Sequence, residues 1–247
     1  MDVVGPGSNP TSKLYRIDVG AEPSAIGPNQ SCIIFVEVWD EFGELMPFVP
    51  VSLSARGEDG SGGHAHDGSR PVGTFSSSSG TIDQWGYFET SYTSSEVCGR
   101  DIITAWAGAK AASLYLIVKV SGLAEMGISS NYNLIGMTPT HPSNHWGSPS
   151  TISNLINIAN EYLEQFPGAS PLAFNDMNLV YGGLFDIDGN WMPPHDEHRY
   201  GRNCDLRISN IPIANRIPLD RIIQENGGIV KKEEGSPYGP HWHLTFY

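Results

Sequence analysis

Ser31-Cys32-Ile33-Ile34-Phe35-Val36-Glu37-Val38-Trp39, followed by Asp40-Glu41-Phe42-Gly43, reads as a long β-strand running into a turn. β-Branched and aromatic residues suit a pleated, half-buried surface, and the Asp-x-x-Gly ending suits a reversal. Working outward, Phe48-Val49-Pro50-Val51-Ser52-Leu53-Ser54 alternates apolar and polar residues, as does Gly86-Tyr87-Phe88-Glu89-Thr90-Ser91-Tyr92. Asp101-Ile102-Ile103-Thr104-Ala105-Trp106 and Ser113–Val120 complete a run of strands over residues 12–121. The 28 glycines and 18 prolines of the 247-residue chain favour strands and turns over long helices.

Short strands punctuated by turns predict an immunoglobulin-like sandwich over residues 1–122. The strand, the Asp-x-x-Gly turn and the Pro-Val strand also resemble bacterial immunoglobulin-like domains. Cys32 opens one apolar strand and Cys98 precedes another. A disulfide between them, bridging the two sheets, is therefore expected. Residues 123–247 read differently. Ile152, Leu155, Ile156, Ala159, Tyr162, Leu163 and Phe166 fall at helical spacing, predicting a helix over 150–166. Ser148 or Ser150 can cap it, Pro149 suits its first turn, and Pro167-Gly168 ends it. A short second helix is expected over Leu219–Glu225, before Gly227-Gly228. Strand and loop fill the rest, so the fold class is multidomain: an all-β sandwich followed by an α+β domain with a small antiparallel sheet.

Charge and hydropathy exclude several functions. The formal net charge is −13, from 27 acidic and 14 basic residues, with no basic patch for phosphate contacts, so nucleic acid is not an expected partner. The apolar runs are too short to span a bilayer, so no transmembrane segment is expected. The first eight residues lack the basic and apolar regions of a signal peptide. The expectation is a secreted or envelope protein whose leader is absent from this chain, or an intracellular one.

The chemistry concentrates in Pro194-His195-Asp196-Glu197-His198-Arg199-Tyr200-Gly201-Arg202-Asn203-Cys204-Asp205 and in His241-Trp242-His243. These two motifs hold four of the eight histidines. Imidazole and carboxylate are zinc ligands, and a catalytic zinc needs three protein ligands and an open position. A turn near Gly201 would let two strands present His198 and Asp205 to one point. On a strand, His241 and His243 face the same side. Cys204, next to Asp205, is expected in the core. Glu197 is an alternative base, but on a strand it would point away from His198. Arg199 and Arg202 are candidates for binding a peptide carboxylate or for simple solvation. Trp191, Trp242 and Tyr238 are cleft walls or core. His141 and His145, just before the helix, line the cleft or bond to backbone. Gly63-His64-Ala65-His66-Asp67 reads either as a second metal site or substrate contact or as a polar loop, and the loop is the favoured reading because no third ligand is spaced to join its histidines.

From Asn175 onward, four motifs resemble the penicillin-insensitive murein endopeptidases, within the wider lysostaphin and D-Ala-D-Ala metallopeptidase group. They are Asn175-Asp176-Met177-Asn178, Gly182-Gly183-Leu184-Phe185, His195-x2-His198-x2-Gly201-x3-Asp205 and His241-x-His243. The resemblance implies a zinc cofactor held by His198, Asp205 and His243. It implies His241 as general base or transition-state stabiliser and His195 as a further histidine near the metal. The family carries another histidine three residues before its His-x-His, where this chain has Tyr238. The implied activity is hydrolysis of amide bonds in peptidoglycan peptides, with Arg202, Tyr238 and His145 as substrate contacts. A D,D-carboxypeptidase or dipeptidase is the rival enzyme. A non-catalytic cell-wall binding or adhesion protein with a structural zinc is the rival of another class.

Overall fold

The computed structural model describes residues 13–66, 68–193, 197–236 and 239–247. It is mostly β and divides into two compact units. The first comprises residues 1–59 and 69–119, and the second 60–68 and 120–247. Residues 60–68 thus belong with the second unit although the chain on either side belongs to the first.

Among the described residues, the first unit holds nine strands: β1 (Leu14–Glu22), β2 (Ala25–Ile26), β3 (Ser31–Asp40), β4 (Pro50–Gly57), β5 (Thr74–Phe75), β6 (Ser79–Thr81), β7 (Tyr87–Thr93), β8 (Gly99–Ala107) and β9 (Lys110–Val118). They form two sheets, ordered β1-β3-β7-β5 and β2-β9-β8-β4-β6. Strand alternation builds the core. Cys32, Ile34, Val36 and Val38 of β3 are buried, as are Val51 and Leu53 of β4 and Ile103 and Ala105 of β8. The Tyr92 hydroxyl of β7 donates to the Asp101 carboxylate of β8 at 2.6 Å, tying one sheet to the other. Two sheets, antiparallel throughout except for the short parallel pair β2–β9, are what an immunoglobulin-like sandwich offers. The expected disulfide is absent. Cys32 on β3 and Cys98 just before β8 are both buried thiols, in a core already closed by apolar side chains. Burial, and then Asp101, pushes the Cys32 thiol above its usual pKa.

The second unit contains β10 (Ala124–Glu125), β11 (Tyr132–Leu134), β12 (Trp146–Gly147), α1 (Pro149–Gln165), β13 (Leu172–Phe174), β14 (Asn203–Arg207), α2 (Ile213–Glu225), β15 (Gly228–Glu233) and β16 (His241–Phe246). Five of its strands form one sheet, ordered β11-β13-β14-β16-β15. α1 begins at Pro149 because the Ser148 side chain accepts the Thr151 N–H at 3.1 Å. Its buried stripe is Thr151, Leu155, Ile158, Ala159 and Tyr162. Ile158, absent from the expected face, is fully buried, whereas Ile152, Ile156, Leu163 and Phe166 are partly buried at the margin of the core. α2 starts six residues before the expected Leu219. The sequence reading stopped at Pro218, which lies inside the helix and lacks the N–H of an interior position. Leu219, Ile222 and Ile223 of α2 join Trp242, Leu244, Leu206 and Cys204 of the sheet in one apolar cluster.

Candidate metal centre

β14 and β16 run antiparallel with Asp205 opposite His243 and Arg207 opposite His241. Alternation then sorts the side chains. Cys204, Leu206, Trp242 and Leu244 belong to the hydrophobic core, and burial pushes the Cys204 thiol well above its usual pKa. Asn203, Asp205, Arg207, His241 and His243 share the other face. His198 reaches the same point from a turn, not from a strand: residues 197–199 are turn, and Gly201 at φ +77° redirects the chain into β14. The Gly201 N–H is held by Asn178 Oδ1 at 3.0 Å.

His198, Asp205 and His243 are all buried, and each offers one ligand atom within 4.8 Å of the others. His198 Nε2 is 3.3 Å and His243 Nδ1 2.9 Å from Asp205 Oδ1. Zn–N bonds near 2.0–2.1 Å at tetrahedral angles put ligand atoms roughly 3.3 Å apart, so the donor set fits such an ion. The far ring nitrogen of His198 is oriented as a metal-binding histidine requires. His198 Nδ1 donates to the Met177 carbonyl at 2.8 Å, leaving Nε2 as the ligand atom. His243 Nε2 lies 2.9 Å from Asn203 Nδ2 and 3.3 Å from Glu197 Oε2, with Nδ1 toward Asp205. Burial penalises the Asp205 carboxylate, but His198 and His243 outweigh it and hold its pKa well below the usual range. Burial likewise opposes the His198 imidazolium, and the Asp205 carboxylate overrides it and raises that pKa.

His241 stands beside this group without joining it. Its Nδ1 donates to the Gly239 carbonyl at 2.8 Å, and its Nε2 is 3.6 Å from Asp205 Oδ2 and 3.1 Å from Glu233 Oε2. It lines a cavity of about 210 Å³ together with Asn175, Arg207, Ser209, Gly239 and Pro240.

The other sequence candidates scatter. Arg202 is exposed and lines a separate cavity of about 600 Å³ with Glu197, Tyr200 and Asn203. The guanidinium that shares the His241 cavity is that of Arg207, two residues after Asp205 on the same strand face. That spacing is the signal that could have found it. His145 turns its Nε2 onto the Phe174 carbonyl at 3.3 Å, and burial lowers its pKa. Trp242 is core. Glu197 was expected to point away, but the turn imposes no alternation and its carboxylate reaches His243. His195 and Tyr238 lie outside the described residues.

Residues 175–178 are the scaffold behind the site. Met177 supplies the carbonyl for His198, and Asp176 accepts from Asn144 Nδ2 at 2.7 Å. Burial, with Asp205 adding to it, raises the Asp176 pKa to about 6 against the opposing pull of His198. Glu233, across the ladder from His241, is a further acidic neighbour missed in the sequence. The third ligand that the spacing around His64 and His66 lacked comes from elsewhere in the chain: His141 and Asp186 join these loop histidines to make a second group of potential metal ligands. Those partners lie some 75 and 120 residues away in the chain, so no local spacing could reveal them.

No family model matches this chain, and no curated protein matches it. Among solved structures, domains 4 and 5 of the S-layer protein SbsC align over 44% of this chain and 53% of theirs, at 14% identity and a TM-score of 0.30. A glycosyl hydrolase family 2 member from Bacteroides cellulosilyticus aligns over 43% of this chain and 14% of its own, at 19% identity and 0.34. The Yersinia pseudotuberculosis adhesin InvE aligns over 52% and 34%, at 12% identity and 0.30. This chain thus spans about half or less of the length of each. At this level of likeness, the fold and the site stand on the chain's own residues. Among the described residues, no helix is long and apolar enough to cross a membrane.

Proposed function

We propose that the second unit is a zinc-dependent hydrolase of peptide-type amide bonds, acting on peptidoglycan peptides as the resemblance to murein endopeptidases implies. The observation that carries this reading is the pairing of three convergent ligands with an imidazole held beside them. His198, Asp205 and His243 supply the ligand atoms, and His241, its Nε2 3.6 Å from Asp205 Oδ2, lines a cavity with Arg207. A zinc ion in this place supplies a Lewis acid that polarises a carbonyl. The chain's own residues do the rest. The Gly239 carbonyl fixes the Nδ1–H tautomer of His241, so its Nε2 is the atom that would accept a proton from the water adding to the carbonyl and pass it to the leaving amine as the C–N bond breaks. Glu233, 3.1 Å from that Nε2, stabilises the imidazolium that forms. Arg207 sits in the same cavity as a fixed cation for a substrate carboxylate. In this reading the first unit positions the enzyme at the cell wall, outside the cytoplasm.

A second reading has one observation on its side. His198, Asp205 and His243 are only 1%, 2% and 4% exposed, and burial that deep also suits a structural ion in a non-catalytic wall-binding or adhesion protein. Digestion of cross-linked and linear muropeptides, with and without chelator and with zinc restored, separates the readings. Chelator-sensitive cleavage of cross-links supports the endopeptidase. Release of a terminal D-residue from linear peptides supports the carboxypeptidase or dipeptidase. No cleavage by fully zinc-loaded protein overturns the enzyme reading.

A further inference from the structure

The second histidine cluster is built within the second unit from three separate stretches of chain. His64 follows a 3-10 turn over Ser61–Gly63, and His66 is two residues on. His141 closes a tight turn in which its N–H bonds to the Thr138 carbonyl. Asp186 sits in the loop before Trp191. His64 Nδ1 lies 3.0 Å and His141 Nε2 3.1 Å from Asp186 Oδ1, and His66 Nε2 lies 3.4 Å from Asp186 Oδ2. These are the tetrahedral edges, roughly 3.3 Å, expected around an ion with bonds near 2.0–2.1 Å. The three rings stand edge-on to one another, with centroids 5.3–5.5 Å apart, so they surround a point and do not stack. His64, His141 and Asp186 are 1% exposed or less.

An ordinary hydrogen-bonded core cluster accounts for only part of this arrangement: His141 Nε2 lies at hydrogen-bond distance, 3.1 Å, from Asp186 Oδ1. Asp186 Oδ2 already accepts the Trp191 N–H at 2.6 Å. The ring nitrogens of His64 and His66 approach the carboxylate closely, yet neither is directed along a hydrogen bond to it, and both are buried. A buried nitrogen that faces a carboxylate off-line is aimed at the space between them. The surroundings hold the rings in place. Trp191 packs on His64 and His66 at 4.9 and 4.3 Å, Phe185 packs on His141 at 5.1 Å, and the Ala65 N–H bonds to the Thr140 carbonyl at 2.8 Å.

We infer that His64, His66, His141 and Asp186 bind a second divalent transition-metal ion, zinc foremost, in a closed structural site that fixes the 60–68 segment in the second unit. Three imidazoles with one carboxylate suit zinc among the first-row metals, and four protein ligands leave no open position. This site is independent of the one assigned to hydrolysis.

The test is metal content after chelation, reloading with zinc and removal of excess, with hydrogen exchange of peptides covering residues 60–68 as a second readout. The intact chain is expected to retain two equivalents, and Asp205→Ala, Asp186→Asn and His64→Ala/His66→Ala one each. Zinc should slow exchange over 60–68 at least ten-fold in the intact chain and in Asp205→Ala, and not in Asp186→Asn. Asp186→Asn changes little in size, and cobalt loaded into the intact chain gives the strong visible absorption of tetrahedral sites, so the result does not depend on one variant's folding. One equivalent in the intact chain, lost with Asp205→Ala and kept in the His64/His66 variant, overturns the inference. One equivalent lost only with the His64/His66 variant supports it and removes the hydrolytic site instead.

Discussion

The two units bury carboxylates in opposite ways. In the sandwich, Asp101 is 1% exposed and faces the Arg70 guanidinium, while Tyr92 donates to its other oxygen at 2.6 Å. Arg70 in turn donates to the Val97 and Arg100 carbonyls at 3.1 and 2.8 Å. That carboxylate has a permanent counter-ion and a full set of donors, and it ties two sheets together. In the second unit, Asp186 and Asp205 are as deeply buried, but their nearest cationic groups are imidazoles. Imidazole is cationic only when protonated, and when neutral it is a metal ligand. A buried carboxylate satisfied by arginine is structure; one ringed by histidines is a place for an ion.

The two histidine groups also differ from each other. The first has three ligand atoms, with His241 Nε2 3.6 Å from the Asp205 carboxylate, and the second has four ligand atoms. Phe185 lies between them, its ring 5.1 Å from His141 and 6.4 Å from His198. One sequence therefore places a three-ligand and a four-ligand arrangement side by side, the protein-ligand counts that distinguish catalytic from structural zinc sites.

Substitutions can break this contrast, and the largest effect is expected at the three-ligand group. Asp205→Ala removes the anionic ligand, so it should lose the ion of that group and all hydrolysis, while circular dichroism still shows the sandwich melting as before. His243→Ala should lose both ion and turnover. His241→Ala should keep the ion and lose about 10²–10⁴ in rate, the usual effect of removing a general base or electrostatic stabiliser. Parallel metal analysis and kinetics distinguish the two, and equal zinc loss in both would make His241 a ligand. In the sandwich, Arg70→Met strands the Asp101 carboxylate. Denaturant melts should show a loss of about 3–5 kcal/mol in the first unit with zinc content unchanged, because removing one member of a buried pair leaves an uncompensated charge. The smallest expected effect is at Glu197, which is half-exposed but orients His243. Glu197→Gln should weaken zinc affinity by about ten-fold in a competition titration, without changing stoichiometry.

The sequence revealed the strand half of this molecule better than its sites. Period-two alternation placed β3, β4, β7 and β8 to within a few residues, because each buries one face against a core. It also put His241 and His243 on one side of a strand, and Cys204 in the core. The failures have local causes. Pro218 hid the first half of α2. Glu197 and His198 sit in a turn, where alternation says nothing about direction. The Arg207 side chain was overlooked although it follows Asp205 by the same two-residue step that linked the histidines. The His64 group was illegible for a different reason: its members lie on three loops brought together only by tertiary folding, and residues 60–68 leave one unit's sequence to join the other.

The central claim is that the His198, Asp205 and His243 group holds an ion with a position open toward His241. Cobalt loaded into Asp186→Asn, which leaves that group as the metal site, reports on it directly. Addition of a small hydroxamate should change the visible spectrum from four-coordinate toward five-coordinate cobalt, with the change saturating at one equivalent. A cobalt spectrum unaffected by hydroxamate would mean a closed coordination shell, and would contradict the account.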